Sequence, residues 1–311
     1  MVEFLSGYYI YMFSLLVTFI ALATILHLQF GITGITNFGL SGLWGFGMYA
    51  FAILVVKAGV PFVWAVILAT ILSGIVGLAL GRIILNLDPQ SILVATLSAL
   101  VIIETLIISE KWLTNGVKGL GPVEIPFDAG GYTKFVYFLI LLFFLILLLI
   151  YAYKVGLSPF GRLLHSIQDN EPLAQSLGKP TFRQKIIFFT FTSALAGFFG
   201  AMSTPVYIYL FPKHMGPELT FTLWIALILG ARKRVMGGLV GILATIGLFD
   251  VVLETVVPIP EDLAGILYNA KYFIYGLVLV LILMFRPSGI LGEGRRRVFS
   301  KPAAKLKKKE G

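Results

Sequence analysis

The chain has no cysteine among its 311 residues, which excludes disulfides and thiolate metal sites. Histidine is nearly as scarce. His27, His165 and His214 stand far apart with no ligand spacing, so no metal site is expected. Charge is thin too: charged residues make up 13% of the chain and hydrophobic ones 58%. A soluble domain carries about a quarter charged residues, so that class is excluded. No phosphate-cradling glycine loop and no Ser/His/Asp grouping is present. The chain is therefore not expected to hydrolyse ATP by itself, to be an enzyme or to hold a cofactor. Its net charge of +9 suggests nucleic acid until the charges are mapped. Nine of the 24 basic residues lie from Arg286 onward, in a tail after the last apolar run, so no nucleic-acid partner is expected.

What is present is apolar sequence in runs of about 20 residues, the length that crosses a hydrocarbon core about 30 Å thick. Lipid offers the backbone no hydrogen-bond partner, so the runs must be helices. The weak ten-residue alternation of a β-barrel is missing. The expectation is an all-α, polytopic helical membrane protein of about nine transmembrane segments: 8–28, 31–56, 62–85, 91–109, 134–153, 186–209, 219–229, 235–257 and 265–285. The seventh is too short to cross alone and reads as re-entrant or as a tilted half-helix. The first run follows Met1-Val2-Glu3 with no basic stretch before it and reads as a span, not a cleaved signal. With the N-terminus outside and the C-terminus inside, 18 of the 24 basic residues fall on the inner side and six on the outer. That satisfies the positive-inside rule. The result is one permease-like membrane domain (1–285), an ordered external loop rich in Gly and Pro (110–132), and a basic cytoplasmic tail (286–311).

One polar stretch interrupts the oil. Residues 158–185 read SPFGRLLHSIQDNEPLAQSLGKPTFRQK. Ser158-Pro159 has the form of a helix start. Phe160, Leu163, Leu164 and Ile167 then share one helical face. Pro172 is expected to push Glu171 out of helical geometry, and Gly178 to end a second short turn. A bent helix with one apolar face and a rim of Arg162, Asp169 and Glu171 suits the groove of a soluble partner. Resting on lipid headgroups is the other reading.

Gly161-Arg162 followed by Asp169-Asn170-Glu171, Ala174 and Gly178 resembles the cytoplasmic loop of ABC importer permeases of the branched-chain amino acid class. The family pattern there is roughly G-R-a-x-x-A-I-R-D-N-E-x-A-A-x-x-x-G. Asn37-Phe38 with Gly45, Gly47 and Tyr49 resembles the family's second span. Leu113-Thr114-Asn115-Gly116 with Gly119-Leu120 resembles its outer loop. Ser193-Ala194 with Ala196-Gly197 and Gly200, and the closing Arg286-Pro287-Ser288-Gly289-Ile290-Leu291-Gly292, complete five matches in family order. Three positions depart from the pattern. Leu40 stands where His is frequent, Gln168 where a basic residue is usual, and Gly230-Ala231-Arg232-Lys233-Arg234 replaces a G-G-x-G-S segment.

The resemblance implies a multi-pass subunit of a prokaryotic cell membrane that passes branched-chain or related hydrophobic amino acids. Its partners are then cytoplasmic ATPase subunits, a second permease subunit, an extracytoplasmic solute-binding protein and the surrounding lipid. It places ATPase coupling at Gly161, Arg162, Asp169, Asn170, Glu171, Ala174 and Gly178. Candidates for the translocation pathway are Thr33, Thr36, Asn37, Phe38, Gly39, Ser41 and Gly45. So much glycine weakens the second span as a helix. A break in mid-membrane there would suit a solute path, and close helix packing is the plainer role. Glu104, Asp250, Glu254 and Lys271 form either a polar outer vestibule or an intramembrane ion pair such as Lys271 with Glu254. Urea, short amides, sugars or nucleosides are alternative solutes within the family. A stand-alone ion-coupled transporter or channel is the alternative from another class, and an integral membrane enzyme is the least supported.

Overall fold

The computed structural model describes residues 2–252, helical positions 276, 277, 280, 281 and 284, and residues 289–292. The described residues are helical apart from loops and two isolated bridges. Among the described residues, six helices are long and apolar enough to cross a membrane. In chain order, α1 (Val2–Leu26) runs on through a π-helical stretch, His27–Ile32, where the first span ends, and the loop 33–39, the break between the first two spans, leads to α2. α2 (Leu40–Ala52) likewise runs on in π geometry to Lys57. α3 is Phe62–Ile84 and α4 is Pro89–Ser109. The short α5 (Lys111–Thr114) precedes α6 (Thr133–Leu157). α7 (Pro159–Asp169) and α8 (Glu171–Ser176) form the polar insertion. α9 is Thr181–Tyr207, α10 is Pro217–Gly230, and α11 (Val235–Ile242) passes into a further π stretch, Leu243–Val252.

α1, α2 and α9 are the inner helices; α3, α4 and α6 show much of their surface. The outer stripes are spaced as helix faces should be. Val63, Ile67, Ile71 and Ile75 on α3 and Leu139, Phe143, Ile146 and Ile150 on α6 are exposed, as lipid contact requires. The opposite face of α3 is a row of small buried residues at every fourth position: Ala65, Ala69, Ser73, Gly77 and Gly81. It meets Ser193, Ala194 and Gly197 of α9 so closely that a Cβ on Gly77 would collide with Ser193, and one on Gly197 with Ser73. Small faces of this kind let helix backbones approach in lipid, where dispersion replaces the hydrophobic drive. On its other side α9 meets α2, where Gly47 touches the Gly197 backbone and Gly200 sits against the Trp44 carbonyl.

Two ends can be told apart. One holds the end of α3, the start of α4, the insertion and residues 27–39. There Thr36 Oγ1 donates to the Pro89 carbonyl (2.7 Å) and Gln168 Nε2 to the Phe30 carbonyl (3.0 Å). The other end holds the loop 110–132. That loop is built, not loose: Leu120 and Leu210 exchange backbone hydrogen bonds at 3.0 and 2.9 Å, and Val123 N donates to the Ile208 carbonyl at 2.8 Å. A cleft of about 910 Å³ opens beside it, bounded by Tyr8, Tyr11, Glu124, Phe127, Lys134 and Ile208.

The short seventh segment is α10. Its 14 residues rise only ~21 Å, less than the ~30 Å core. The chain reaches its start through a 3₁₀ turn, Pro212–Met215, that keeps Lys213 exposed and buries Met215, whose carbonyl accepts from Ser41 Oγ at 3.0 Å. α10 thus begins against α2, with Glu218 exposed, and runs to the insertion end. The eighth segment is described as far as Val252. The ninth, apart from isolated helical positions, lies outside the described residues, as do the Lys271–Glu254 pairing and most of the basic tail. Residues 289–292 close on α10: Ile290 N donates to the Leu229 carbonyl at 2.8 Å.

Candidate functional site

The insertion is folded by the residues that mark its motif. Ser158 caps α7, its Oγ accepting from Gly161 N (2.9 Å) and donating to the Val155 carbonyl (2.8 Å). Gly161 has to be glycine, because a Cβ there would run into that carbonyl. Asn170 breaks the helix with extended dihedrals (φ −159°, ψ 96°) and caps α8, its Oδ1 accepting from Leu173 N at 3.0 Å. The kink therefore falls at Asn170 and Glu171 opens α8, contrary to the expectation that Glu171 leaves helical geometry. Pro172 is tolerated in the first turn of α8, where its missing N–H is no loss. Ala174 is buried, and Gly178 adopts the left-handed conformation (φ 75°) that lets Lys179 N reach the Ala174 carbonyl at 3.1 Å.

The apolar stripe of α7 faces the protein's own bundle, not an open groove. Leu164 and Ile167 are buried, and the Phe160 ring packs on Phe188 of α9 at 5.9 Å. Its helix period was legible, but the core it covers was not. Two polar contacts pin α8. Lys185 Nζ bonds Glu171 Oε2 at 2.9 Å, and Gln175 Nε2 donates to Thr181 Oγ1 at 2.9 Å. Glu171 thus braces the insertion from within. Exposed on its outer surface are Arg162, Asp169, Leu173 and Leu177, with the two leucines one helical turn apart.

The insertion ends against the π turn that closes the first span. The Phe30 carbonyl, in the π turn, accepts from Gly34 N (3.0 Å) and from Gln168 Nε2 (3.0 Å). Around the break the polar groups satisfy one another. Gln29 Nε2 donates to Thr192 Oγ1 (2.9 Å), and Asn37 Nδ2 donates to Gln29 Oε1 (2.8 Å). Thr33 Oγ1 donates to the Gln29 carbonyl. Asn37 Oδ1 accepts from Gly39 N at 2.8 Å, and Phe38 N donates to Thr96 Oγ1 at 2.9 Å. Deeper in, Ser41 Oγ pairs with Thr220 Oγ1 at 2.7 Å, and Gly45 gives room to Met215.

Thr33, Asn37, Gly39, Ser41 and Gly45 are accordingly buried, while Thr36 and Phe38 stay half-exposed. Phe38 stacks on Trp224 of α10 (centroids 4.5 Å apart, 14° between planes) and meets Phe221 edge-on at 5.7 Å. Trp224 also packs on Phe30 at 4.6 Å and donates Nε1–H to the Asn37 carbonyl at 3.1 Å. Arg232 lies over the other side of Phe30, 5.8 Å from its centroid, and its carbonyl pairs with buried His27 Nδ1 at 2.8 Å. His27 opens the π stretch inside a span that continues to Ile32. Next to Pro89, Asp88 caps α4. The Ser91 hydroxyl (2.7 Å) and amide (3.1 Å) donate to its carboxylate and hold its pKa below the ordinary value.

The two candidate sets therefore meet at one end of the bundle, where Gln168 touches Phe30 and Gly34, while Ser41 and Gly45 lie deeper against Thr220 and Met215. Sequence reasoning passed over Gln29, Thr192, Thr220 and Trp224. A glutamine inside an otherwise apolar run was the available signal, since lipid leaves such a group no partner. Glu104 is half-buried in α4. The side chains of Asp250 and Glu254 lie outside the described residues.

Residues 8–283 match the family described as the branched-chain amino acid transport system permease component. The chain is 24% identical to the high-affinity branched-chain amino acid transport system permease protein LivM of Salmonella typhimurium, covering 93% of this chain and 70% of that one. The same protein of Escherichia coli is 23% identical, over 94% and 71%. A probable branched-chain amino acid transport permease protein LivM of Methanocaldococcus jannaschii is 24% identical, over 73% and 68%. No solved structure matches the chain significantly.

Proposed function

Because this chain belongs to the branched-chain amino acid transport permease family, and is a multi-pass, non-catalytic permease component, we propose how it works. The N-terminus lies outside and the C-terminus inside. The chain makes about nine passes, with α10 as a half-span. Two permease subunits flank the path, and the solute is a branched-chain or related hydrophobic amino acid. A solute-binding protein docks on the outer loops around 113–126 and 213–218. Cytoplasmic ATPases seat on the insertion, and their closure switches access from one side to the other.

The observation that carries this reading is the placement of the insertion. Leu173 and Leu177 point away from the bundle, 56% and 71% exposed, while the buried side of the same element is pinned to α9 and touches the break. An exposed apolar pair on a polar, braced element suits a partner surface. The aromatic set of buried Trp224, half-buried Phe38 and exposed Phe221 offers an apolar side chain a path of matching character.

The test is ATP-driven leucine uptake by proteoliposomes holding the whole transporter, with Leu173→Asp and Leu177→Asp introduced together. The expected result is loss of the ATPase from the purified assembly, by roughly tenfold or more, with unchanged thermal unfolding of the permease. Full ATPase recovery with normal uptake would refute the docking surface.

A further inference from the structure

We propose that Gln168 is a positioning residue for transport. Its amide joins the insertion to the π turn that ends the first span and, through Phe30 and Trp224, to half-helix α10, so that the three move as one body. The inference rests on the permease reading above and adds the route by which motion leaves the insertion.

The geometry is specific. Gln168 Nε2 lies 3.0 Å from the Phe30 carbonyl. Only a donor is useful at that point, because the carbonyl is an acceptor, shared with the backbone N–H groups of Thr33 and Gly34 that close the π turn. The amide oxygen of Gln168 turns towards His165 Nδ1 at 3.5 Å. Gly34 leaves room for the side chain: a Cβ there would stand 3.1 Å from Gln168 Cγ. From Phe30 the contact continues through packed rings. Trp224 lies against Phe30 on one side and stacks on Phe38 on the other, and its indole N–H holds the Asn37 carbonyl. One α10 side chain therefore grips both flanks of the break.

Leu164, Ile167 and Phe160 of α7 make apolar contacts, which are non-directional and can slide. Phe160 leads to α9, which is locked to α2 and α3 along the small-residue seam. A directional link to the segment that carries α10 runs through Gln168.

The experiment compares ATP hydrolysed per leucine taken up, in proteoliposomes holding the whole transporter with ligand-loaded binding protein. Gln168→Glu keeps shape and length but sets an acceptor against the carbonyl. Gln168→Arg keeps a donor and changes the shape. Uptake in Gln168→Glu is expected to fall about tenfold while ATP hydrolysis stays within about twofold, and Gln168→Arg is expected to keep both near the native values. Trp224→Phe, which retains a ring and loses the N–H, is expected to raise the ATP-to-solute ratio by a smaller factor. Normal coupling in Gln168→Glu, damage in Gln168→Arg equal to that in Gln168→Glu, or a parallel loss of uptake and hydrolysis would each overturn the proposal. In those cases the native transporter still drives uptake with ATP. Absence of ATP-driven uptake in the native transporter itself would overturn the underlying reading, and this inference with it.

Discussion

Replacing Glu171 with glutamine strands the Lys185 ammonium. The pair is 2.9 Å apart, with the lysine side chain 9% and the glutamate 34% exposed. Breaking one partner of a fully buried pair costs about 3–5 kcal/mol, and an exposed pair is worth ~0–1 kcal/mol. A pair with one partner a third exposed belongs between them, at about 1–2 kcal/mol, which is roughly a 5- to 30-fold change in an equilibrium. The affected equilibrium is lifting of α8 off α9, because the bond ties the first residue of α8 to the first turns of α9. The absence of cysteine supplies the assay. A single cysteine at Ala174, a position 4% exposed, reports lifting through its rate of maleimide labelling in membrane vesicles. The expected result is labelling faster by the factor above in Glu171→Gln, and recovery in Glu171→Lys combined with Lys185→Glu. An unchanged rate in the single variant, or no recovery in the exchange, would refute the brace.

Gly161→Ala forces a methyl into the Val155 carbonyl, and overpacking of this kind costs about 1–3 kcal/mol; thermal unfolding of the purified permease should show the lower midpoint. Gln29→Leu orphans Asn37 Nδ2, worth about 1–3 kcal/mol, while Thr192 Oγ1 keeps its bond to the Phe188 carbonyl. The substitution should weaken uptake more than Thr36→Val, whose hydroxyl is half-exposed. Single cysteines at Gln175 and Asn115 should react with impermeant reagents from the inner and outer sides respectively; the reverse pattern would reject the orientation.

What the sequence revealed followed physical scale. Long apolar runs and the stop-and-start grammar of 158–185 are local, and local rules found α3, α4, α6 and both helices of the insertion. The glycine-rich stretch announced a weak helix, but a break in mid-membrane does not occur: 33–39 is the connection between two spans, Gly7–Ile32 and Leu40–Lys57, at the insertion end. Its position after a π turn was not legible, because that turn depends on His27 and Gly31 meeting the Arg232 carbonyl from across the chain. The same limit explains Glu171. Nothing in its neighbourhood tells a rim charge from one half of an ion pair 14 residues away. Gln168 stood out only as a departure from a pattern. Its value came from a carbonyl 138 residues distant.

The contact of α3 with α9, and of α9 with α2, leaves almost no slack: serine side chains and glycine backbones already fill the places where a further side chain would need room. Such a zipped trio is a keel. It cannot widen without tearing apart surfaces that fit at van der Waals distance, so any change of shape falls to the pieces hung beside it. Those are the seven-residue gap after Ile32 and the stub that starts at Pro217. A machine with one stiff flank and one jointed flank opens like a hinge, not like an iris.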